Sequence, residues 1–303
     1  MPTKLPGNSL VQYLDGLPFR KISDQNGVSP ASIFRSCERD LKALPSNLDI
    51  TIKYANRYCG YLVFDGKWFP VKGYPNDIVL LWGIDYLTHD IPHFELAPSE
   101  NYEASVLYFR KLKLINYPLQ YLVCDDNPAF KMAARYVYPQ VVIQSCLNHY
   151  KENIRRDLCI RSRSTYVNFF LEVEDIFTQR LDFVNFTREV AVLYAKHKED
   201  RNCLRWLESL ITRRKELVAY HQFEGVPNTT NLIESYNSHL EARLRVLRGF
   251  ENYHSAKLFI NGYILRRRLK NFTDCKGKFK HLNGTCSIQH SLKRELELPS
   301  LFD

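Results

Sequence analysis

Apolar runs that end on an acid occur twice in this chain at places where chemistry could follow. Asp65 closes Tyr61-Leu62-Val63-Phe64, and Asp125 with Asp126 closes Tyr121-Leu122-Val123-Cys124. Runs of this length and composition suit buried strands. Carboxylates at the ends of neighbouring buried strands converge at one edge of a sheet, where their repulsion is costly unless a cation sits between them. A third acid, Glu234, falls in TTNLIESYNSHLEARLRVLRG, which reads as a capped helix over 229–249. Asn231, Asn237, Ser238 and Glu241 share its face. Three converging oxygen donors suit Mg2+ or Mn2+, hard ions that keep several waters and bind phosphate oxygens. Two such ions can clamp the attacking and leaving oxygens of an in-line phosphoryl transfer. Each acid alone says little, because an Asp after a strand more often forms a turn or caps a helix. The order strand-Asp, strand-Asp, helix-Glu carries the argument.

A second constellation is Cys146-x2-His149. Two ligands are half of a zinc site, and no convincing second pair follows. Cys159 is unmatched, and Cys275, Cys286 and His290 are irregularly spaced. The plainer expectation is that Cys146 is buried and His149 makes a local hydrogen bond. The eight cysteines contain no CxxC pair, which argues against a zinc ribbon and against a disulfide framework, and suits a reducing, intracellular location.

These residues need elements to position them. Residues 8–45 read as short helices: SLVQYLD, then PFRKISDQN, a Gly27-Val28 turn, and SIFRSCERDLKAL behind Ser29 as N-cap and Pro30 at the first helical position. From 60 to 96 the texture is β, with GYLVFD, KWFPVK and IVLLWGIDYL separated by DG, YPND and HDIP turns. A helix over 101–114, a strand over 121–124, a helix over 128–138 and a strand over 141–144 follow. Residues 150 to about 220 are helical throughout, and the tail, 272–303, is loop with a short helix. The order β-β-β-α-β-α-β, a helical insert and one more helix describes an α/β fold: an RNase H-like mixed sheet with an all-helical insertion.

The composition is that of an ordinary globular chain, 45% hydrophobic and 25% charged. A formal charge of +9, from 42 Lys+Arg against 33 Asp+Glu, favours a polyanionic partner. The opening MPTKLPGNSL lacks the apolar core of a signal peptide, and no stretch of about 18 apolar residues could span a membrane.

Longer motifs make the reading specific. DDNPAFKMAARYVYPQVVIQSCLNHYKENIRR resembles the second-aspartate block of Mutator-like transposases and their bacterial insertion-sequence relatives, through Asp125, Tyr138-Pro139, Gln144, Cys146, His149 and Asn153. TTNLIESYNSHLEARLRVLRGF is similar to their glutamate block, through Thr230-Asn231, Glu234, Asn237, Leu240 and Arg248-Gly249-Phe250. YLVFDGKW matches the first block through Asp65 and Gly66. The resemblance implies a DDE transposase in which Asp65, Asp125 and Glu234 are catalytic and hold two Mg2+ or Mn2+ ions for DNA cleavage and strand transfer. Asp126 is the alternative to Asp125 and otherwise a cap for the helix at Pro128. Cys146 and His149 would brace the site, supported by Asn231 and Asn237.

FRKISDQNGVSPASIFRSCERDLK resembles the helix-turn-helix of transposases and resolvases, with Ile22, Val28 and Ile33 as its core and Ser29, Ser32, Arg35 and Arg39 facing DNA. Arg155, Arg156, Arg161, Arg163, Arg213, Arg214 and Lys215 are a solvated face or a phosphate-binding one. The expected divisions are a helix-turn-helix domain over 1–50, a core over 58–149, a helical insertion over 150–227, the glutamate helix over 228–270 and a tail over 271–303. The implied partners are double-stranded DNA at element ends and targets, and further copies of the chain in a homodimer or higher oligomer. The implied place is the cytoplasm, on chromosomal DNA. Two rivals stay open: a catalytically silent, transposase-derived DNA-binding protein, and another RNase H-like nuclease such as a junction resolvase.

Overall fold

The computed structural model describes residues 9–162, 165–247, 249–294 and 296–302. Arg163, Arg248 and all but the last two residues of MPTKLPGNSL lie outside them. Five strands form one mixed sheet of order β3-β2-β1-β4-β5. β1 (Tyr61–Phe69) runs antiparallel to β2 (Ile78–Asp85), which pairs antiparallel with β3 (Phe94–Ala97). On its other side β1 is parallel to β4 (Tyr121–Cys124), and β4 is parallel to β5 (Val142–Ser145). β2 is buried along its whole length, which is why its sequence is an unbroken apolar run.

β1 differs from expectation. The Asp65-Gly66 pair is not a turn, and KWF is not a separate strand: one strand passes through both, with Asp65 opposite Trp82 and Gly66 opposite Leu81. Asp65 therefore lies inside a strand and not at its end. Gly66 marks a close approach instead, since a Cβ there would meet Glu100 Oε1 at 2.0 Å. The third strand comes after HDIP, at Phe94.

Alternation along β1 divides the core. Leu62 and Phe64 pack with α5 (Tyr102–Leu114) and α6 (Pro128–Val137), whereas Val63 and Phe69 face α11 (Asn231–Leu247) and α12 (Tyr253–Leu269). α12 had no counterpart in the sequence reading. Its residues from Phe259 to Leu265 are buried without interruption, so it lacks the polar stripe that marks an amphipathic helix.

The N-terminal residues form α1 (Ser9–Leu14), α2 (Phe19–Asn26), α3 (Pro30–Ala43) and the unanticipated α4 (Asn47–Tyr54). Gly27, at φ 65°, ends α2, and the Ser29 side chain caps α3 by accepting from Ser32 N. Ile22 and Ile33 are fully buried, Val28 partly so, and they share one apolar core with Phe259, Ile260 and Ile264 of α12.

After β5 the chain leaves the sheet through α7 (Leu147–Asp157), α8 (Val167–Thr178), α9 (Phe183–His197) and α10 (Arg201–Leu217), then a 3₁₀ turn at Ala219–Gln222. Phe169, Phe170, Val173, Leu207 and Leu210 give this insertion its own core, joined to the sheet at Tyr121 and Val123. Its two ends meet, since Leu147 N donates to Asn228 O at 3.0 Å. Gln144, fully buried, holds the far side by donating to Leu217 O and accepting from Tyr220 N. The tail carries a 3₁₀ turn at Gly277–Leu282 and α13 (Ser287–Ser291).

One buried ion pair ties the two ends of the chain to the sheet. Arg268, on α12, makes two hydrogen bonds of 2.7 Å to Asp90, just beyond β2, and donates to Asn47 and Thr51 of α4. Ser287 and Ser291 of α13 donate to the same carboxylate. Removing one member of such a pair leaves an uncompensated buried charge. Arg268→Ala should therefore cost about 3–5 kcal/mol in urea unfolding. A loss below about 1 kcal/mol would show that the pair is dispensable.

Candidate active site

The parallel ladder between β1 and β4 pairs Val63 with Val123. Two residues further stand Asp65, still within β1, and Asp125, one residue past the end of β4. α11 crosses above β1: Asn237 Nδ2 donates to Asp65 Oδ2 at 2.8 Å, and Trp82 Nε1 in turn donates to Asn237 Oδ1 at 3.1 Å. One turn along, Lys67 and Glu241 form an ion pair at 2.6 Å. Glu234 lies one turn before Asn237 on the same helix face, so it overhangs the end where β4 meets α7.

There it meets His149. The side chain of Glu234 is half-exposed, and its Oε1 is 3.7 Å from His149 Nε2. Cys146 is the buried N-cap residue of α7, and the donor atoms of Cys146, His149 and Glu234 lie within 4.8 Å of one another. Thr230, fully buried, closes the group: its N–H points at Cys146 Sγ at 3.3 Å, and its hydroxyl lies 3.1 Å from that sulfur and 2.7 Å from Glu234 Oε1.

The charges follow from this packing. Burial, reinforced by the negative charge of Asp125, pushes the Asp65 carboxyl up to about 7. Burial also raises Asp125, against the N–H of Asn127, which donates to its Oδ1 at 3.1 Å. A hydrogen bond with Cys146, with the charges of Glu234 and Asp65 behind it, raises His149 to about 9. Burial opposes ionisation of Cys146, yet hydrogen bonds from His149 and Thr230 bring it below the ordinary thiol range. His149 thus lies beside Glu234, and its charge acts on both aspartates.

The sequence missed a fourth acid. Glu100 is raised by burial and by Asp125, its Oε2 accepts from Asn127 Nδ2 at 3.3 Å, and its Oε1 leans over Gly66. Only the neighbouring Gly66 could have hinted at it.

Asp126 is not a cap. Asn127 takes that role, accepting from Ala129 N, while Asp126 pairs with the buried Lys131 at 2.7 Å and with Arg213 of α10. Asn231 accepts from Asn148 at the surface and touches none of the acids. Ser29 and Ser32 bond each other, Arg35 is exposed, and Arg39 leans on Asp40 and Ser36. Of the basic residues on the insertion, Arg213 holds Asp126, Arg155 holds Glu174 and Arg161 holds Glu152.

Asp85 shows what a satisfied carboxylate looks like here. It too ends an apolar run, but it accepts from Cys59 N, Gly60 N, Thr88 N, the Thr88 hydroxyl and the Tyr117 hydroxyl. Asp65 and Asp125 have far fewer donors; of the cations near them Lys67 is engaged with Glu241 and Lys131 with Asp126 and Glu216, which leaves His149 as their partial counter-charge. Two half-buried carboxylates that repel one another and keep open oxygen sites fit a hard divalent cation.

The profile described as "Transposase, Mutator family" matches residues 88–273, more than half of the chain. The chain belongs to the Mutator family of transposases. Asp125, Cys146, His149 and Glu234 fall inside the matched region of this Mutator-family chain, and Asp65 and the N-terminal helices precede it. The chain is also 24% identical over 171 residues to the transposase for insertion sequence element IS1201 of Lactobacillus helveticus. That match covers 54% of this chain and 44% of the relative, so the chain spans less than half of that protein's length. Among the described residues, no helix of this Mutator-family chain is long and apolar enough to cross a membrane.

The raised Asp65 gives a signed prediction. Between the ordinary value of 3.8 and about 7 the folded chain binds more protons at this position than the unfolded chain, so metal-free stability falls as pH rises through that window. In chelator, Asp65→Asn should stabilise the protein by roughly 2–4 kcal/mol near pH 8 and leave it unchanged near pH 3.5. An equal effect at both pH values would contradict the electrostatic account.

Proposed function

We propose that this Mutator-family chain is a DDE transposase that cuts and joins DNA at the ends of a mobile element. The observation that carries the reading is that Asp65, within β1, and Asp125, just past the end of the parallel β4, come close enough for the charge of Asp125 to act on Asp65, with Glu234 on the helix whose Asn237 bonds Asp65. The strand order, with β1 central and antiparallel to β2 but parallel to β4, supports an RNase H-like core interrupted by a helical insertion. The divisions at 1–50, 58–149, 150–227, 228–270 and 271–303 belong to the same reading, although the first of them shares its apolar core with α12.

In this reading Asp65, Asp125 and Glu234 hold two Mg2+ or Mn2+ ions. When bound, the ions supply charge neutralisation on the phosphate and a nucleophilic oxygen at neutral pH. The protein's own contribution is positional. Asn237 fixes the rotamer of Asp65, Asn127 N–H fixes that of Asp125, and Thr230 holds Glu234 toward the cleft. Cys146 and His149 brace the wall beside them, while Asn231 is left to the helix terminus. Glu100 stands close enough to Asp125 to add negative charge, so it strengthens the demand for a cation.

The helix–glycine turn–helix of α2 and α3 is the proposed DNA reader, presenting Ser29, Ser32, Arg35 and Arg39 to double-stranded element ends. A homodimer or higher oligomer would synapse two ends on chromosomal DNA in the cytoplasm.

Two measurements test this. Asp125→Asn should abolish Mg2+-dependent cleavage of cognate ends, since an amide lacks the charge and is a poor Mg2+ ligand. Asp126→Asn should keep cleavage while losing about 1–2 kcal/mol of stability, because Lys131 retains Glu216 but Arg213 loses its partner. Activity lost in Asp126→Asn and kept in Asp125→Asn would move the site by one residue and sink the assignment. Separately, Arg35→Ala with Arg39→Ala should weaken end binding and flatten its salt dependence by a slope of about 0.9 for each phosphate contact removed. An unchanged salt slope would leave the N-terminal helices as scaffold.

A further inference from the structure

The hard-ion reading uses Glu234 but leaves Cys146 and His149 as bracing, and their geometry asks for more. Three chemically different donors, a thiol, an imidazole and a carboxylate, converge within 4.8 Å. They come from the N-cap of α7, its first turn and the first turn of α11, which are held together where the insertion leaves and rejoins the core. His149 Nδ1 is shut off from solvent, and the hydrogen bond that raises the imidazole is to Cys146, inside the group. Cys146 Sγ is buried, and the Thr230 N–H points at it while the Thr230 hydroxyl, 3.1 Å from the sulfur, donates to Glu234. A donor aimed at a sulfur is a usual outer support of a metal-bound thiolate. A sulfur and a nitrogen in the set disfavour Mg2+, which takes oxygen ligands, and favour Zn2+ and its kin. Three protein ligands leave a fourth position for water.

We propose that Cys146, His149 and Glu234 form a second cation site, selective for a thiophilic divalent ion such as Zn2+, that competes for Glu234 with the hard ions of the cleft. Binding displaces to solvent the proton that His149 carries, and the thiol proton of Cys146 where the sulfur still holds it, and adds a sulfur–metal bond, a nitrogen–metal bond and an oxygen–metal bond. The ion holds the Glu234 carboxylate against α7 and takes it from the two aspartates. A thiophilic ion therefore inhibits, and excess Mg2+ does not readily reverse it, because Mg2+ gains little from sulfur. The inhibitory half rests on the proposed role of Glu234 in cleavage; the binding half does not.

Co2+ is the probe, because a thiolate ligand gives it a charge-transfer absorption in the near ultraviolet that oxygen ligands do not. The full-length protein should show this band on titration with Co2+, and one equivalent of Zn2+ should bleach it. Cys146→Ser and His149→Gln should each lose the band. Asp65→Asn and Asp125→Asn should keep it, and circular dichroism of each variant reads its folding. His149 is half-exposed, so His149→Gln tests the site even where Cys146→Ser folds poorly. A band of equal strength in the wild type and in His149→Gln overturns the site. With Mg2+ fixed, micromolar Zn2+ should slow cleavage by the wild type at least tenfold more than by His149→Gln. Equal inhibition of both overturns the competition. If the wild type does not cleave in Mg2+ alone, the transposase reading fails, and the Co2+ band still decides the binding site on its own.

Discussion

Two carboxylates that repel one another are brought to the same end of the sheet, Asp65 inside the β1 ladder and Asp125 one residue past the end of β4. β1 is clamped between β2 and β4, and its side chains fill two separate cores, so its register is fixed from four directions. A slip of one residue would turn Val63 and Phe69 toward α5 and α6 and expel Leu62 and Phe64 from their pocket. That apolar cost exceeds what a rotation of Asp65 away from Asp125 could recover. The sheet therefore imposes the charge conflict, and the surroundings relieve it only in part, through the charge of His149 and the hydrogen bond from Asn237.

The contrast with the other buried acids gives this meaning. Asp85 collects six donors, Asp90 an arginine, two serines and a tyrosine, and Asp126 a lysine and an arginine. Each of these carboxylates ties elements together: Asp85 the β2 end, Asp90 the two chain termini, Asp126 the helical insertion. Asp65 and Asp125 tie nothing of comparable weight. Burial raises Asp65, Asp125 and Asp85 alike; what sets Asp65 and Asp125 apart is that few donors reach them, and the charge of Asp125 adds to the rise at Asp65. A pair left short of donors in this way fits a ligand that supplies positive charge.

Much of this was legible in the sequence. The capped helix carrying Glu234, the two strand acids, the helical insertion and the Ser29-Pro30 helix start were all visible, because periodicity and capping are local signals. What escaped was set by tertiary contact. Gly66 looked like half of a turn, yet it lies within a strand to clear Glu100, a residue 34 positions away in sequence. α12 lacked a polar face because it is buried nearly all round. Asp126 looked like a cap because Asn127-Pro128 begins a helix, and only the return of α10 shows that Lys131 and Arg213 claim it. Cys146 and His149 looked like half of a site, since the third donor, Glu234, comes 85 residues after His149 in the chain.

The claim on which the rest turns is that Asp65 and Asp125 together, and Asp126 not at all, demand a cation. Titration of Mn2+ followed by electron paramagnetic resonance tests it most directly, because the sharp signal of the free aquo ion broadens on binding. The account predicts that wild-type protein and Asp126→Asn remove Mn2+ from the free pool alike, while Asp65→Asn and Asp125→Asn each weaken binding by about tenfold or more. Binding left unchanged in both Asp65→Asn and Asp125→Asn, or lost only in Asp126→Asn, would contradict it.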